Sequence, residues 1–245
     1  MRILRFFRFY SIFGKGEIDA KALLACRKNQ AGLKKVSIER IRDEYAKIML
    51  TPNVAKTVKI MHDNDILGYI LPPAQHLDYL EKLITLVRKE SLEESALRRL
   101  FILYMPDEKL ADSFATRLKF SRKQKDLFVS LARYNPDISE FENKASLLTL
   151  LYKHGREFCE HKYIILCAVA GKTPKNFTKT IENIRTLEIP VFSLKGRDII
   201  EAGVKDNRKI GTILSILEQM WMASAFSMSK EDLLSQVHGD LKRAE

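Results

Sequence analysis

The sequence predicts an all-α protein, an elongated array of many helices that divides into a neck, a body and a tail. Apolar residues return every three or four positions in several segments, which is the spacing of one face of an α-helix. Helix start and stop signals flank these segments. Runs of alternating apolar and polar residues with hairpin chemistry are missing, although residues 189–194 read as extended. About ten helices joined by short loops are therefore expected.

Five segments carry the helical period: 38–50, 54–61, 77–87, 92–104 and 147–152. Three pairs of residues match the capping box, in which two side chains satisfy orphan helix amides reciprocally. These pairs are Ser91 with Glu94, Ser121 with Gln124, and Ser139 with Glu142. Gly155 and Gly171 predict helix ends, because glycine accepts the backbone conformation that closes a helix.

Two soft boundaries suggest how the chain is organised. Asn135-Pro136 precedes a capped helix, and Pro190 and Gly196 mark a second break. We therefore expect a neck over residues 1–50, a body over 51–138 and a tail over 139–245. A chain of 245 residues with 46% hydrophobic side chains can bury a substantial core.

The charge balance points to a polyanionic partner. Lysine and arginine total 42 against 31 acidic residues, and residues 1–50 alone hold 12 basic and 5 acidic side chains. Such a balance favours nucleic acid or an anionic membrane surface. No stretch approaches the roughly 20 apolar residues of a membrane span, so no membrane partner is expected. Three cysteines at irregular spacing are typical of reduced thiols in a cytoplasm.

The first thirteen residues are rich in arginine and aromatic side chains. Arg2, Arg5 and Arg8 recur every three residues, so a helix would place them on one face. The same composition is typical of an organelle transit peptide. The residue pattern alone leaves open whether the segment is a targeting helix or a folded basic helix.

Motifs for phosphate loops and metal sites are incomplete. Gly171-Lys172-Thr173 ends like a P-loop, but Leu166 stands where that motif needs its first glycine. Asp63-Asn64-Asp65 precedes a glycine turn and is not followed by a phosphate-contacting loop, so we interpret it as a turn. We expect neither a catalytic residue nor a metal site in this chain.

Two segments near the amino terminus carry recognisable motifs. The opening, Arg2-Ile-Leu-Arg-Phe-Phe-Arg-Phe9, is similar to E-D-P-x-R-x-L-R-x-x-R-F. About 25 residues later, Ser37-Ile-Glu-Arg-Ile-Arg-Asp-Glu44 is similar to a helix with the motif E-R-I-x-x-E. With these motifs at this distance, the chain resembles the bacterial-type CCA-adding enzymes and their poly(A) polymerase relatives. Three later stretches, 151–155, 163–168 and 191–199, follow the family's tail in order. The resemblance covers essentially the whole chain.

This resemblance implies the RNA-binding part of a tRNA nucleotidyltransferase. In the family, an aspartate and an arginine of the first motif read the incoming C or A. Arg2 matches that arginine, with Arg5 beside it, and Glu39, Arg40 and Glu44 belong to the helix that supports the motif. The chain begins inside the motif, so the aspartate and the catalytic head are expected on another segment or polypeptide. Mg²⁺ and CTP or ATP are implied for the complete enzyme, and no cofactor for this chain.

The resemblance also favours a neck helix over a transit peptide for residues 1–13, and with it a cytoplasmic location. Phe6, Phe7 and Phe9 would then be half covered by the head. Without the head we expect them to form an exposed apolar patch, which usually marks an interface. The implied partners are tRNA and a catalytic head polypeptide.

Three basic clusters are candidate contacts to tRNA phosphates, because lysine and arginine neutralise phosphates and release counterions. They are Lys34 and Lys35; Arg117, Lys119, Arg122, Lys123 and Lys125; and Lys195, Arg197, Lys205, Arg208 and Lys209. Each cluster could instead be a solvated helix face. The last cluster is favoured, because Gly196-Arg-Asp198 can begin a helix whose free amides also attract phosphate.

Three hypotheses follow for the chain as a whole. It is the RNA-binding subunit of a split enzyme, a truncated and inactive fragment of a poly(A) polymerase or tRNA nucleotidyltransferase, or a non-catalytic helical interaction module. The sequence leaves CCA addition and poly(A) synthesis both open.

We predict that the chain by itself transfers no nucleotide, because the expected metal carboxylates and the base-reading aspartate are not among its motifs. The measurement is incorporation of label into tRNA that lacks its 3′ end, with Mg²⁺, CTP and ATP. Incorporation well above a buffer blank, from a preparation free of host enzyme, would contradict the prediction.

Overall fold

The computed structural model describes residues 1–68, 70–72, 74–204 and 206–243, with side chains as far as Val237. Within these residues the chain forms fourteen α-helices and one 3₁₀ helix, Gln30–Lys35. The α-helices are α1 (Arg2–Phe13), α2 (Ala20–Asn29), α3 (Ile38–Met49), α4 (Val54–Asp63), α5 (Leu77–Lys89), α6 (Ala96–Tyr104), α7 (Glu108–Arg117), α8 (Arg122–Arg133), α9 (Ile138–Glu142), α10 (Lys144–Ala170), α11 (Phe177–Thr186), α12 (Gly196–Glu201), α13 (Asn207–Ala223) and α14 (Lys230–Arg243).

The all-α prediction is confirmed, since the described residues contain no strand. The five periodic segments coincide with α3, α4, α5, α6 and part of α10. Among the described helices, none combines the length and the apolar character that crossing a membrane requires.

Helix starts are predicted less well than helix bodies. Ser121 and Gln124 form the expected capping box at α8, but the box expected at Ser91 and Glu94 is wrong. Helix α6 begins later, where the Ser95 hydroxyl accepts from the Arg98 amide at 3.3 Å. Glu94 is not available as a cap, because its carboxylate pairs with Arg99 at 2.5 Å.

The start predicted at Ser139 is also wrong. Helix α9 already begins at Ile138, and the next helix is capped by Asn143, whose Oδ1 accepts from the amides of Ala145 and Ser146. Helix α10 is interrupted at Gly155, where φ is 77° and ψ is 168°. That conformation is essentially reserved for glycine, so the predicted stop appears as a break inside one long helical segment.

The chain divides into two compact units, and the division between neck, body and tail remains a prediction from sequence. The first unit contains Met1–Ile138 and Glu160–Thr178. The second contains Ser139–Cys159 and Lys179–Glu245, as far as that range is described.

Aromatic side chains form the centre of the first unit. The ring of Phe114 in α7 lies 5.5 Å from that of Phe128 in α8 and 5.1 Å from that of Tyr104 in α6, centroid to centroid. The Tyr104 hydroxyl is 2.8 Å from the hydroxyl of Tyr45 in α3, and both are buried. Burial raises the pKa of Tyr104 to about 12, so both groups stay neutral. This buried scaffold joins α3, α6, α7 and α8.

Helix α1 packs on α3 and α4 through residues spaced three and four apart. Leu4, Phe7 and Ser11 are buried, and the Ser11 hydroxyl bonds to the hydroxyl of Thr51. One turn away, Arg8 Nη1 lies 2.9 Å from Oε2 and 3.1 Å from Oε1 of Glu44 in α3. The Glu44 side chain is only 8% exposed, so this ion pair ties α1 to α3 at the edge of the core.

Three cations, Arg98, Arg99 and Lys162, lie deep in the first unit. The Arg99 guanidinium donates to the carbonyls of Met49 and Thr51 as well as to Glu94. The Lys162 ammonium, on a residue 4% exposed, donates to the Leu131 carbonyl at 2.8 Å. Burial lowers the pKa of Lys162 to about 8. Arg99 is compensated by a carboxylate, whereas the Lys162 contact is to a neutral carbonyl.

The second unit has its own apolar core around Trp221. Buried residues from α12, α13 and α14 contribute, among them Ile199, Leu217 and Leu233. Tyr152 of α10 packs edge-on against Trp221 at 5.6 Å between ring centroids, and its hydroxyl donates to Glu218. Burial, together with the hydrogen bond to the Glu218 carboxylate, raises the pKa of Tyr152 to about 12.

We predict that Arg8→Met lowers the free energy of unfolding by about 2 kcal/mol, because it leaves the nearly buried Glu44 with Lys47 as its remaining cation. Arg5→Met is the matched control, since Arg5 lies on the same helix and is exposed. Urea denaturation at pH 7 measures both. Equal stability of the two variants would show that the pair does not contribute.

We also predict that Lys162→Met is more stable than the wild type at pH 7, and that the advantage shrinks by about 2 kcal/mol at pH 10. The folded pKa lies below the ordinary value of 10.5, so the unfolded chain binds more protons between about pH 8 and 10.5. The contribution of Lys162 to folding therefore becomes more favourable as pH rises through that window. Urea denaturation at both pH values tests this, with the exposed Lys82→Met as control. A wild-type-to-variant difference that is the same at pH 7 and pH 10 would contradict it.

Candidate nucleic-acid interface

The arginines of the first motif divide between the surface and the core edge. Arg2 and Arg5 are exposed on α1, because positions 4, 7 and 11 turn the other face of the helix inward. Arg8, on neither face, is held by Glu44. The two motifs are thus linked through a buried carboxylate, and the arginines predicted to read the nucleotide face solvent.

The residues of the supporting helix have three different environments. Glu44 is buried, Arg40 is exposed, and Glu39 forms an ion pair with Lys119 at 2.6 Å. The hydrogen bond from Lys119 lowers the pKa of the Glu39 carboxyl, so Glu39 is ionised at neutral pH. Of the three, Glu44 supports the first motif directly.

The apolar patch predicted on α1 needs correction. Phe7 is fully buried and Phe6 half-buried, so neither belongs to an exposed patch. The exposed apolar residues are Phe9 at 53%, Ile12 at 40% and Phe13 at 68%. The rings of Phe9 and Phe13 stack with centroids 6.2 Å apart. Phe9 and Phe13 are four residues apart, and this spacing in the sequence indicates that they share one face of α1.

The cluster at 117–125 does not act as one group. Arg117 donates to the Ile70 carbonyl at 3.0 Å, Lys119 to Glu39 at 2.6 Å, and Lys125 to Asp112 at 2.8 Å. Arg122 is different, since its side chain is 95% exposed and 3.9 Å from the equally exposed Asp126. Lys123 is exposed beside it, and Lys34 and Lys35 are exposed at the end of the 3₁₀ helix.

The tail cluster flanks a close approach of two helices. A Cβ atom on Gly196, the first residue of α12, would lie 3.4 Å from Ile210 in the first turns of α13. Lys195 and Arg197 adjoin Gly196 in sequence, Arg208 and Lys209 precede Ile210, and all four are exposed. Lys205, the fifth residue of this cluster, lies outside the described residues.

Hydrogen bonds within the tail cluster change one expectation. Asp198 Oδ2 accepts from the Lys195 amide at 2.7 Å, and Lys230 holds the same carboxylate at 2.6 Å. Lys230 and the amide lower the pKa of Asp198, so the start of α12 already carries a negative charge. The Asp198 carboxylate at this helix start would repel phosphate, so the exposed side chains remain the candidate phosphate contacts of the cluster.

Comparison with known proteins finds a family described by its RNA binding and several CCA-adding enzymes. Residues 17–77 match the family described as "Probable RNA and SrmB- binding site of polymerase A". The chain is 28% identical over 243 residues to the mitochondrial CCA tRNA nucleotidyltransferase 1 of Danio rerio, covering 96% of this chain. It is 24% identical over 250 residues to the CCA-adding enzyme of Limosilactobacillus fermentum, which covers all of this chain. The match spans 54% and 60% of those two proteins, so the chain spans little more than half the length of the curated relatives it matches.

Solved structures share the fold over nearly the whole chain. A CCA-adding enzyme in complex with ATP matches with a TM-score of 0.59 at 18% identity, over 98% of this chain and 60% of its own. The Thermotoga maritima CCA-adding enzyme complexed with tRNA matches with a TM-score of 0.55, over the same shares. Sequence and fold together show that this chain matches the carboxy-terminal body and tail part of the CCA-adding enzymes.

Proposed function

We propose that the chain is the tRNA-binding helical part of a CCA-adding tRNA nucleotidyltransferase and acts in tRNA 3′-end maturation together with a catalytic head. The observation that carries this proposal is the tail cluster, in which exposed cations flank the contact between α12 and α13. Arg197 and Arg208 are 82% and 92% exposed. Such side chains can neutralise phosphates without leaving a buried partner behind.

Recognition by charge and shape suits this ligand. The grooves of A-form RNA resist base reading, so tRNA is recognised mainly through its backbone and its overall form. Three acids accompany the tail cluster: Asp206 lies 3.1 Å from Arg208, Glu201 lies 3.6 Å from Arg197, and Asp198 pairs with Lys230. The contacts of Arg197 and Arg208 are between exposed side chains and are therefore weak. The solved relative that carries tRNA supports the same ligand for this chain.

A catalytic head is the second proposed partner, in the same polypeptide or on another one. The exposed face of α1, with Phe9, Ile12 and Phe13 beside Arg2 and Arg5, is an apolar and basic surface of the kind that marks an interface. The relatives are nearly twice as long as the matched region, which leaves room for such a head. In this proposal the head supplies the sites for Mg²⁺ and for CTP or ATP.

The cytoplasm is the proposed compartment, on the ground of three cysteines that are all buried and form no disulfide.

We predict that Arg197, Arg208 and Lys209 replaced together by Gln weaken tRNA binding to a similar degree for different tRNAs. Phosphate contacts carry little sequence information, so specificity among tRNAs should not change. The plot of log affinity against log salt should flatten by roughly 0.7 to 0.9 units for each lost contact. Fluorescence anisotropy with labelled tRNA measures both quantities, after circular dichroism has shown that the helices persist.

The matched control for this test removes the same charge elsewhere. Lys59, Lys82 and Lys89 are partly exposed lysines that each lie within 4 Å of an acidic neighbour. Replacing these three by Gln should leave tRNA affinity and its salt dependence nearly unchanged. If both triple variants behave alike, net charge and not the tail cluster explains binding, and the proposed surface is wrong.

A further inference from the structure

We propose that a cavity of the first unit, here called the tyrosine cavity, binds an uncharged molecule with one ring and one oxygen that accepts a hydrogen bond. The cavity has a volume of about 120 Å³, and residues of α3, α4, α6 and the segment between α4 and α5 line it. Tyr45 of α3 and Tyr104 of α6 are among them. This site goes beyond the proposed function, because its chemistry favours a neutral ligand over RNA.

Apolar side chains form most of the wall of the tyrosine cavity. Val58 and Met61 come from α4, and Ile66, Leu67 and Leu71 come from the segment that follows it. All five are at most 7% exposed. Such a wall favours an apolar ligand, because the ligand surface that it covers leaves water. An apolar cavity of roughly 150 Å³ holds one benzene molecule, so the volume of this cavity limits the ligand to one ring.

Hydrogen bonds hold both ends of the segment between α4 and α5. At its start, the Ile66 amide donates to the Met61 carbonyl at 2.8 Å. At its end, the amides of Gln75 and His76 donate to the carbonyl of Leu103 in α6, at 3.3 and 3.2 Å. The tyrosine cavity is therefore formed before a ligand arrives, and binding does not have to order this part of the chain.

The two tyrosine hydroxyls supply one hydrogen-bond donor more than the protein uses. The hydroxyl oxygens of Tyr45 and Tyr104 are 2.8 Å apart, and the two residues are 3% and 4% exposed. Within the part of the chain that the structure describes, each hydroxyl has the other as its hydrogen-bond partner and no further one. One proton lies between the two oxygens, so the second O–H is left without an acceptor. A buried donor without an acceptor is costly, and a ligand oxygen that accepts from it therefore gains affinity.

The charges around the tyrosine cavity favour an uncharged ligand. Asp65 lines the cavity and is exposed, so its carboxylate stands at the mouth and would repel a carboxylate or a phosphate. An ammonium group would gain little from this exposed carboxylate, and it would lose its hydration among the apolar side chains. Burial raises the pKa of Tyr45 and Tyr104, so both hydroxyls keep their protons at neutral pH and remain donors.

The test measures how three small probes bind to the full chain at pH 7. Cyclohexanone carries a carbonyl acceptor, toluene has a similar size without an acceptor, and cyclohexylamine is a cation. Binding is followed through the methyl signals of ¹³C-labelled methionine, since Met61 lines the tyrosine cavity. Cyclohexanone and toluene are expected to shift the Met61 signal. Ala74→Leu, which fills the cavity from its wall, should abolish both responses, whereas Ala132→Leu on α8 should abolish neither.

The decisive quantity is the affinity for cyclohexanone divided by the affinity for toluene. In Tyr45→Phe/Tyr104→Phe this ratio is expected to fall at least about fivefold, because the hydrogen bond to the ligand is lost. In either single variant the ratio should hold within about twofold, because the remaining hydroxyl keeps a proton for the ligand. A general loosening of the core would instead weaken both probes alike and leave the ratio unchanged. Circular dichroism and urea denaturation verify that the variants fold.

Three results would overturn the proposed site. The first is a Met61 signal of the unmodified chain that stays unchanged up to the solubility limit of cyclohexanone, which would mean that the cavity holds water only. The second is an affinity ratio that survives in the double variant. The third is tighter binding of cyclohexylamine than of cyclohexanone. Binding of tRNA is measured separately, so none of these results bears on the proposed function.

Discussion

The ion pair between Arg8 and Glu44 is the constraint from which the exposed chemistry of the first unit follows. Its carboxylate is 8% exposed, so removal of the cation would leave a charge in a poorly solvated place, which is costly. With Leu4 and Phe7 packed beside it, the pair leaves α1 one rotational setting about its own axis. In that setting Arg2, Arg5, Phe9 and Phe13 must face solvent. The surface offered to a partner is thus a consequence of a contact on the opposite side of the helix.

Buried polar groups give the first unit its specific packing. Apolar side chains alone tolerate many arrangements of similar volume. Tyr45 with Tyr104, and Arg99 with the carbonyls of Met49 and Thr51, join α3 and the residues that follow it to α6 through directional contacts. Lys162 is the exception, since its neutral acceptor does not offset the loss of hydration. The buried charge of Lys162 therefore lowers the stability of the first unit.

The sequence predicted helix bodies well, because the apolar period reports which face is buried whatever the partner. It predicted helix starts less well, because a side chain that could cap a helix can instead be bound by a residue from elsewhere in the fold. Glu94 stands at the position of a capping residue but forms an ion pair with Arg99. The burial of Arg99 is not indicated by any local sequence pattern. The candidate interface shows the same limit. Charge clusters were visible in the sequence, yet the acids that occupy Lys119 and Lys125 come from α3 and α7.

The near-complete exposure of Arg197 and Arg208 has a kinetic consequence. Charges at the rim of an interface act mainly while the partners are still apart, by guiding diffusion toward productive collisions. Their influence extends about one Debye length, roughly 8 Å at physiological ionic strength. In the proposed function, a tRNA drawn in this way would arrive quickly, and because such solvated contacts are individually weak, it would also leave quickly. Since the proposed role in tRNA 3′-end maturation requires release of each finished tRNA, guidance without tight retention would suit it.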